Sequence, residues 1–249
     1  MPTMLITGAS SGYGRETALH FHKRGWTVIA TMRAPRPGVF PQADRLRVIE
    51  LDVTEPDSIT ATFEASGAID VLVNAAGVSS IGVFEGTSMD HVREVFETNT
   101  FGVMATTQAA LPHFRERGSG VVVNVTSSVV LGDMPLSAVY KASKMAIEGF
   151  TSSLALELAP FGVRAKTVAP GTCPTANFTT RAMRGAWPYA RVPAPYAEYA
   201  GEILENAAGQ VVFTTESDVA ETIWEAVHDT TGRLHFPAGP DAVWLARVN

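Results

Sequence analysis

A single cysteine, Cys173, occurs in 249 residues, so no disulfide can close within the chain. That scarcity fits a reducing compartment, and a cytoplasmic location is expected. Positive charge is also in short supply: 19 Lys and Arg stand against 25 Asp and Glu, a formal net charge of −6. A surface that tracks nucleic-acid phosphates is thereby excluded. Apolar runs are short, and none approaches the roughly 20 residues a membrane-spanning helix needs. Because strand-type sequence begins almost at Met1, no room is expected for a signal peptide. The six histidines show no metal-ligand spacing, so no metal is expected. His20 and His22 point to different sides of a helix, and His91, His113, His228 and His235 are scattered. Asp229 and Asp241 read as turn residues. One absence is local: no acid occurs between Glu16 and Asp44.

What is present is a regular alternation. Strand-like runs recur at 4–7, 27–30, 46–51, 69–73, 121–125 and 163–168. Helix-like segments separate them, including 15–23, 58–65, 89–115 and 140–159. This order predicts one α/β domain over residues 1–249, a doubly wound parallel sheet of Rossmann type with helices on both faces. A hydrophobic content of 46% suffices for its core. The ligand is then expected at the carboxyl ends of the strands. Two stretches interrupt the series. Residues 34–41 hold three prolines and a glycine and read as a loop. Residues 172–210 read as a long irregular insertion, with Pro174, Pro188, Pro193, Pro195, Phe178, Trp187, Tyr189, Tyr196 and Tyr199. Its aromatic content argues for a substrate lid rather than simple disorder.

The first strand runs into Gly8, Ala9, Ser10, Ser11, Gly12, Tyr13 and Gly14, and a helix follows. Strand, glycine turn and helix start suit a dinucleotide, because glycines admit a pyrophosphate and the helix end offers free N–H groups. Further on, Tyr140 and Lys144 lie four residues apart on one helix face. An ammonium beside a phenol favours the phenolate, so Lys144 is expected to lower the Tyr140 pKa and make it an acid–base group.

With its Gly-x-x-x-Gly-x-Gly spacing and Tyr-x-x-x-Lys, the chain resembles the short-chain dehydrogenase/reductase family in its compact form. The likeness extends to further stretches, and the family roles follow from it. Asp52 and Val53 stand where the family holds the adenine. Asn74, Ala75, Ala76 and Gly77 resemble the family's Asn-Asn-Ala-Gly strand end, with alanine for the second asparagine. Asn99 matches the helix asparagine that supports the lysine through a water. Asn124 to Ser128 match the strand end bearing the catalytic serine, with Thr126 beside the cofactor. Both Ser127 and Ser128 are candidates, and the ungapped count to Tyr140 favours Ser127. Pro170, Gly171 and Thr175 resemble the loop that embraces the nicotinamide.

The resemblance implies an NADP(H)-dependent oxidoreductase interconverting a carbonyl and an alcohol through Asn99, Ser127, Tyr140 and Lys144. The aromatic insertion suggests a hydrophobic or aromatic small-molecule substrate. A nucleotide-binding sensor or scaffold, and a dehydratase or epimerase on the same fold, remain alternatives. The choice of NADPH over NADH rests on the missing acid, which would accept the ribose 2′-OH at the end of the second strand. Arg33 stands there instead, with Arg36 nearby, and a guanidinium suits a 2′-phosphate. Segments 89–115 and 140–159 carry small or apolar residues on more than one face, so a homodimer or homotetramer is expected.

Overall fold

The computed structural model describes residues 1–173, 192–208 and 212–248. Seven parallel strands form one sheet: β1 (Thr3–Ile6), β2 (Thr27–Met32), β3 (Leu46–Glu50), β4 (Val71–Asn74), β5 (Gly120–Val125), β6 (Val163–Pro170) and β7 (His235–Ala238). Their order is β3-β2-β1-β4-β5-β6-β7. The helices named below are α1 (Gly12–Lys23), α2 (Pro56–Ser66), α3 (Met89–Phe96), α4 (Gly102–Arg117) and α5 (Ala138–Leu158). They continue with α6 (Ala197–Ala208), α7 (Glu216–His228) and α8 (Pro240–Val248). The chain steps outward from β1 to β3, returns to lay β4 beside β1, and then steps outward the other way. That reversal opens a crevice at the strand ends between β1 and β4, where such sheets receive ligands.

The central strands are apolar on both faces because both are covered. Met4 and Ile6 of β1 join a cluster with Phe21 of α1 and Ile223 of α7. Between them, Leu5 faces the opposite way, into a cluster with Phe114 of α4 and Leu154 of α5. Phe21 meets Trp26 and Trp224 edge-to-face at 5.1 and 5.0 Å, closing the α1–α7 side.

The α/β domain is as expected, but several elements differ in detail. The helix expected over 89–115 is interrupted by a π-helical segment, Glu97–Phe101, between α3 and α4. A π segment inserts one residue into the turn and re-aims what it carries, here Asn99. Loop 34–41 is irregular as expected and is tied to α1 by Arg15, whose Nε donates to Val39 O at 2.8 Å. The irregular reading of 172–210 needs correction, because its later part folds as the turn Ala194–Tyr196 and helix α6. Pro174, Thr175, Phe178, Trp187, Pro188 and Tyr189 lie outside the described residues. Strand β7 and helices α7 and α8 were not anticipated. Among the described residues, no helix is long and apolar enough to cross a membrane.

Candidate active site

The glycine loop is packed too closely for any other residue at two positions. A Cβ on Gly8 would lie 2.6 Å from Ala76 Cα, and one on Gly14 would lie 2.5 Å from Gly8 O. Gly8 also has φ +70°, which disfavours a side chain. Thr7 completes this junction: its Oγ1 accepts the N–H groups of Ala75 and Ala76 at 3.1 and 3.0 Å. Ser10 and Ser11 are half-buried ahead of α1. At Gly12, by contrast, nothing lies within 4 Å of the place a Cβ would take. The start of α1 is thus open at the crevice while the loop behind it is closed. Tyr13 crosses to the next loop, its hydroxyl donating to Gly171 O at 3.2 Å. Burial, then the neighbouring Cys173 and Tyr140, push the Tyr13 hydroxyl well above the ordinary phenol range.

Tyr140 and Lys144 project from α5 at the carboxyl edge of the sheet, and both are buried. Lys144 Nζ donates to Val125 O at 2.9 Å and lies 5.9 Å from the centre of the Tyr140 ring. The expected lowering of the Tyr140 pKa is not what this arrangement produces. Burial pushes the phenol up to about 12, and a hydrogen bond with Ser127 pulls it partly back. Burial also brings Lys144 down to about 8, while the Glu148 carboxylate opposes that shift. Desolvation is the largest cause at both groups. Ser127 caps the short turn Ser128–Val130 and accepts Val129 N–H at 3.4 Å, whereas Ser128 is buried. Of the two serines, Ser127 is the one paired with Tyr140.

Asn99 is fully buried. Its Oδ1 accepts Val78 N–H at 2.8 Å, and its Nδ2 donates to Val78 O at 2.8 Å and Ser143 Oγ at 3.1 Å. The side chain therefore clamps the loop after β4 to α5. Gly77 lies beneath: a Cβ there would be 3.2 Å from Asn99 Oδ1 and 3.5 Å from Lys144 Nζ.

Just past β2, Arg33 is exposed, and Arg36 is exposed in the same loop. Asp52 Oδ1 accepts the Thr54 N–H and hydroxyl at 3.0 and 2.8 Å. Val53 packs with Leu51 and Ile59.

Two residues expected at the cofactor have their side chains committed elsewhere. Asn74 Nδ2 donates to Thr107 Oγ1 and Asn124 Oδ1 at 3.0 and 2.9 Å, and its Oδ1 accepts from Thr106 at 2.8 Å. Asn124 in turn donates to Thr151 at 2.9 Å, so a buried polar rung links α4, β4, β5 and α5. Thr126 donates to Glu148 Oε1 at 2.7 Å. Sequence reading missed Glu148, although it stands one turn beyond Lys144 and the i, i+4 rule points to it. Its Oε2 accepts from Thr167 at 3.0 Å and lies 2.9 Å from His235 Nδ1. Thr7 and Asp241 were also missed, the latter read only as a turn residue.

A doubly wound parallel sheet with these groups converging at its carboxyl edge defines an α/β oxidoreductase of Rossmann type. The chain belongs to the short-chain dehydrogenase family, whose model matches residues 2–184. It is 36% identical over 251 residues to YusZ of Bacillus subtilis, described as an uncharacterized oxidoreductase, covering 94% of this chain and 88% of that one. A crystal structure of a short-chain dehydrogenase from Streptomyces avermitilis superposes with a TM-score of 0.85 at 34% identity, over 99% of this chain and 90% of that one. The structure of ElxO with NADP bound gives a TM-score of 0.77 at 26% identity, over 95% and 97%.

Proposed function

We propose that the protein is an NADPH-dependent reductase and dehydrogenase interconverting a ketone or aldehyde and an alcohol, acting on a hydrophobic or aromatic substrate. The observation that carries this reading is the buried Tyr140, hydrogen-bonded to Ser127 and one helical turn from Lys144 at the crevice. The residues present fit a nicotinamide nucleotide: the start of α1 is open at Gly12, and exposed Arg33 stands where an NAD-specific chain has an acid. When bound, that nucleotide supplies the hydride.

The chain's own residues manage the oxygen and its proton. Ser127 donates to the carbonyl oxygen as negative charge gathers there. Tyr140, held protonated by burial, gives that oxygen its proton. Lys144 keeps a positive charge beside the phenolate left behind and holds the ribose. Asn99 spends its amide on Val78 and Ser143, and by resemblance to the family this residue supports Lys144 through a water. Cofactor contacts at Asp52, Val53, the Asn74–Gly77 stretch and Pro170–Gly171 belong to the same reading, with Asn74 and Thr126 contributing through main chain. In the described part of the expected lid, the Tyr196 hydroxyl bonds Glu85, tying residues 192–208 to the loop after β4.

The test is turnover of NADPH with a panel of apolar ketones and aldehydes by the wild type and by Tyr140→Phe. The variant is expected to bind NADPH normally and to lose kcat by about 10²-fold or more. A variant retaining more than about a tenth of wild-type kcat would show that Tyr140 is not the acid.

A further inference from the structure

Asp241 opens α8, far in sequence from every motif above, yet its carboxylate reaches the Pro170–Cys173 turn. Its Oδ2 accepts Thr172 N–H at 2.6 Å, and its Oδ1 accepts the Thr214 hydroxyl. Thr214 N–H donates to Thr172 O at 2.8 Å, and its hydroxyl also reaches Ala238 O at 3.2 Å. Gly171 N–H donates to Ala238 O at 3.0 Å, while its carbonyl takes the Tyr13 hydroxyl. Every main-chain polar group of Gly171 and Thr172 is thus engaged. Asp241 is 9% exposed and Thr214 1% exposed, so this is an interior junction. Side chains at Gly171 or Gly239 would run into Asp241 or Thr214, and the two glycines let the carboxylate and hydroxyl sit against the backbone.

We propose that Asp241 is a positioning residue for the cofactor, pinning the Pro170–Cys173 turn against the mouth of the glycine loop. A carboxylate is an acceptor only, and here each oxygen has its donor. The bonds join the two strands of chain on either side of residues 173–213. A turn fixed beforehand spares the ligand the cost of ordering it. The inference rests on the NADPH-dependent function proposed above.

The experiment compares wild type with Asp241→Ala, Asp241→Asn and Thr214→Val in the full chain. Read-outs are NADPH Kd by fluorescence titration, kcat and KM, thermal melting, and amide exchange at residues 171–173. Asp241→Ala is expected to raise the NADPH Kd about tenfold or more and to speed exchange at Gly171 and Thr172, with β1 amides unchanged. Asp241→Asn keeps an acceptor for Thr172, and Thr214 can turn its hydroxyl to Ala238, so Kd stays within about threefold. Thr214→Val falls between. Wild-type Kd and exchange in Asp241→Ala would overturn the proposal, as would a loss that only tracks the unfolded fraction. Should Asp241→Ala not fold, Thr214→Val decides: raised Kd with faster exchange supports the proposal, and wild-type values overturn it. A wild type that binds neither NADPH nor NADH defeats the proposed function itself, whereas a binding wild type with an unaffected Asp241→Ala defeats only this inference.

Discussion

At the scale of single residues, burial sets the chemistry of α5. With Tyr140 near 12 and Lys144 near 8, the pair at neutral pH is a protonated phenol beside a lysine close to its titration point. The ammonium is present below pH 8 and is lost as the pH rises through it. Carbonyl reduction, measured as kcat against pH, is therefore expected to fall across that range. Glu148 opposes the depression of Lys144, so Glu148→Gln is expected to move the falling limb to lower pH. An unmoved limb would remove Glu148 from the account. The same depression bears on stability. The folded state disfavours charged Lys144, so below pH 8 the full penalty applies, and it fades as the pH climbs toward the unfolded value of about 10.4. Lys144→Met is expected to abolish activity yet raise Tm at pH 7, by about 2–4 °C for each kcal/mol recovered, with a smaller gain above pH 8. Arg33 belongs to this scale too. Arg33→Ala should raise the KM for NADPH about tenfold or more and leave that for NADH nearly unchanged, as steady-state kinetics with both cofactors would show.

At the scale of elements, the polar rung through Asn74 and Asn124 holds the middle of the sheet to α4 and α5. Its members are buried with their partners in place, so breaking it leaves unpaired groups in the interior. Asn74→Leu is expected to cost about 2–4 kcal/mol in urea unfolding while the folded fraction keeps most of its cofactor affinity. A selective loss of NADPH binding without loss of stability would return Asn74 to the cofactor. This rung was not legible in the sequence. Asn74 and Asn124 are 50 residues apart and meet only because β4 and β5 pair in register. The π segment at Glu97–Phe101 was equally hidden, since the apolar pattern of 89–115 reads as one helix and does not mark where a residue is inserted. The glycine loop and the Tyr140–Lys144 pair were legible because their geometry is local: a turn with its close packing, and two side chains one helical turn apart.

For the whole molecule, the outward faces of the π segment and α5 leave Phe101 52%, Met145 45% and Leu156 79% exposed. Apolar groups of this size on neighbouring elements are what a symmetric pairing would cover. Light scattering at micromolar concentration is expected to show a homodimer or homotetramer, and Phe101→Glu should shift it toward monomer. A monomeric wild type would contradict the assembly.

The sequence by itself determined the α/β alternation, the glycine turn between β1 and α1, and the placing of Tyr140 and Lys144 one turn apart on a helix. Each of these rests on periodicity or spacing within about one helical turn, which backbone geometry alone converts into position. Tertiary structure decided the rest. It set the Ser127 side chain in a hydrogen bond with Tyr140, and it turned the expected acidic phenol into a strongly protonated one by burying it. It also brought Asp241 to the Pro170–Cys173 turn, 69 residues from Thr172, where no local pattern marks it. Such contacts depend on strand order and on which groups lose water, and neither is encoded in the spacing of neighbouring residues.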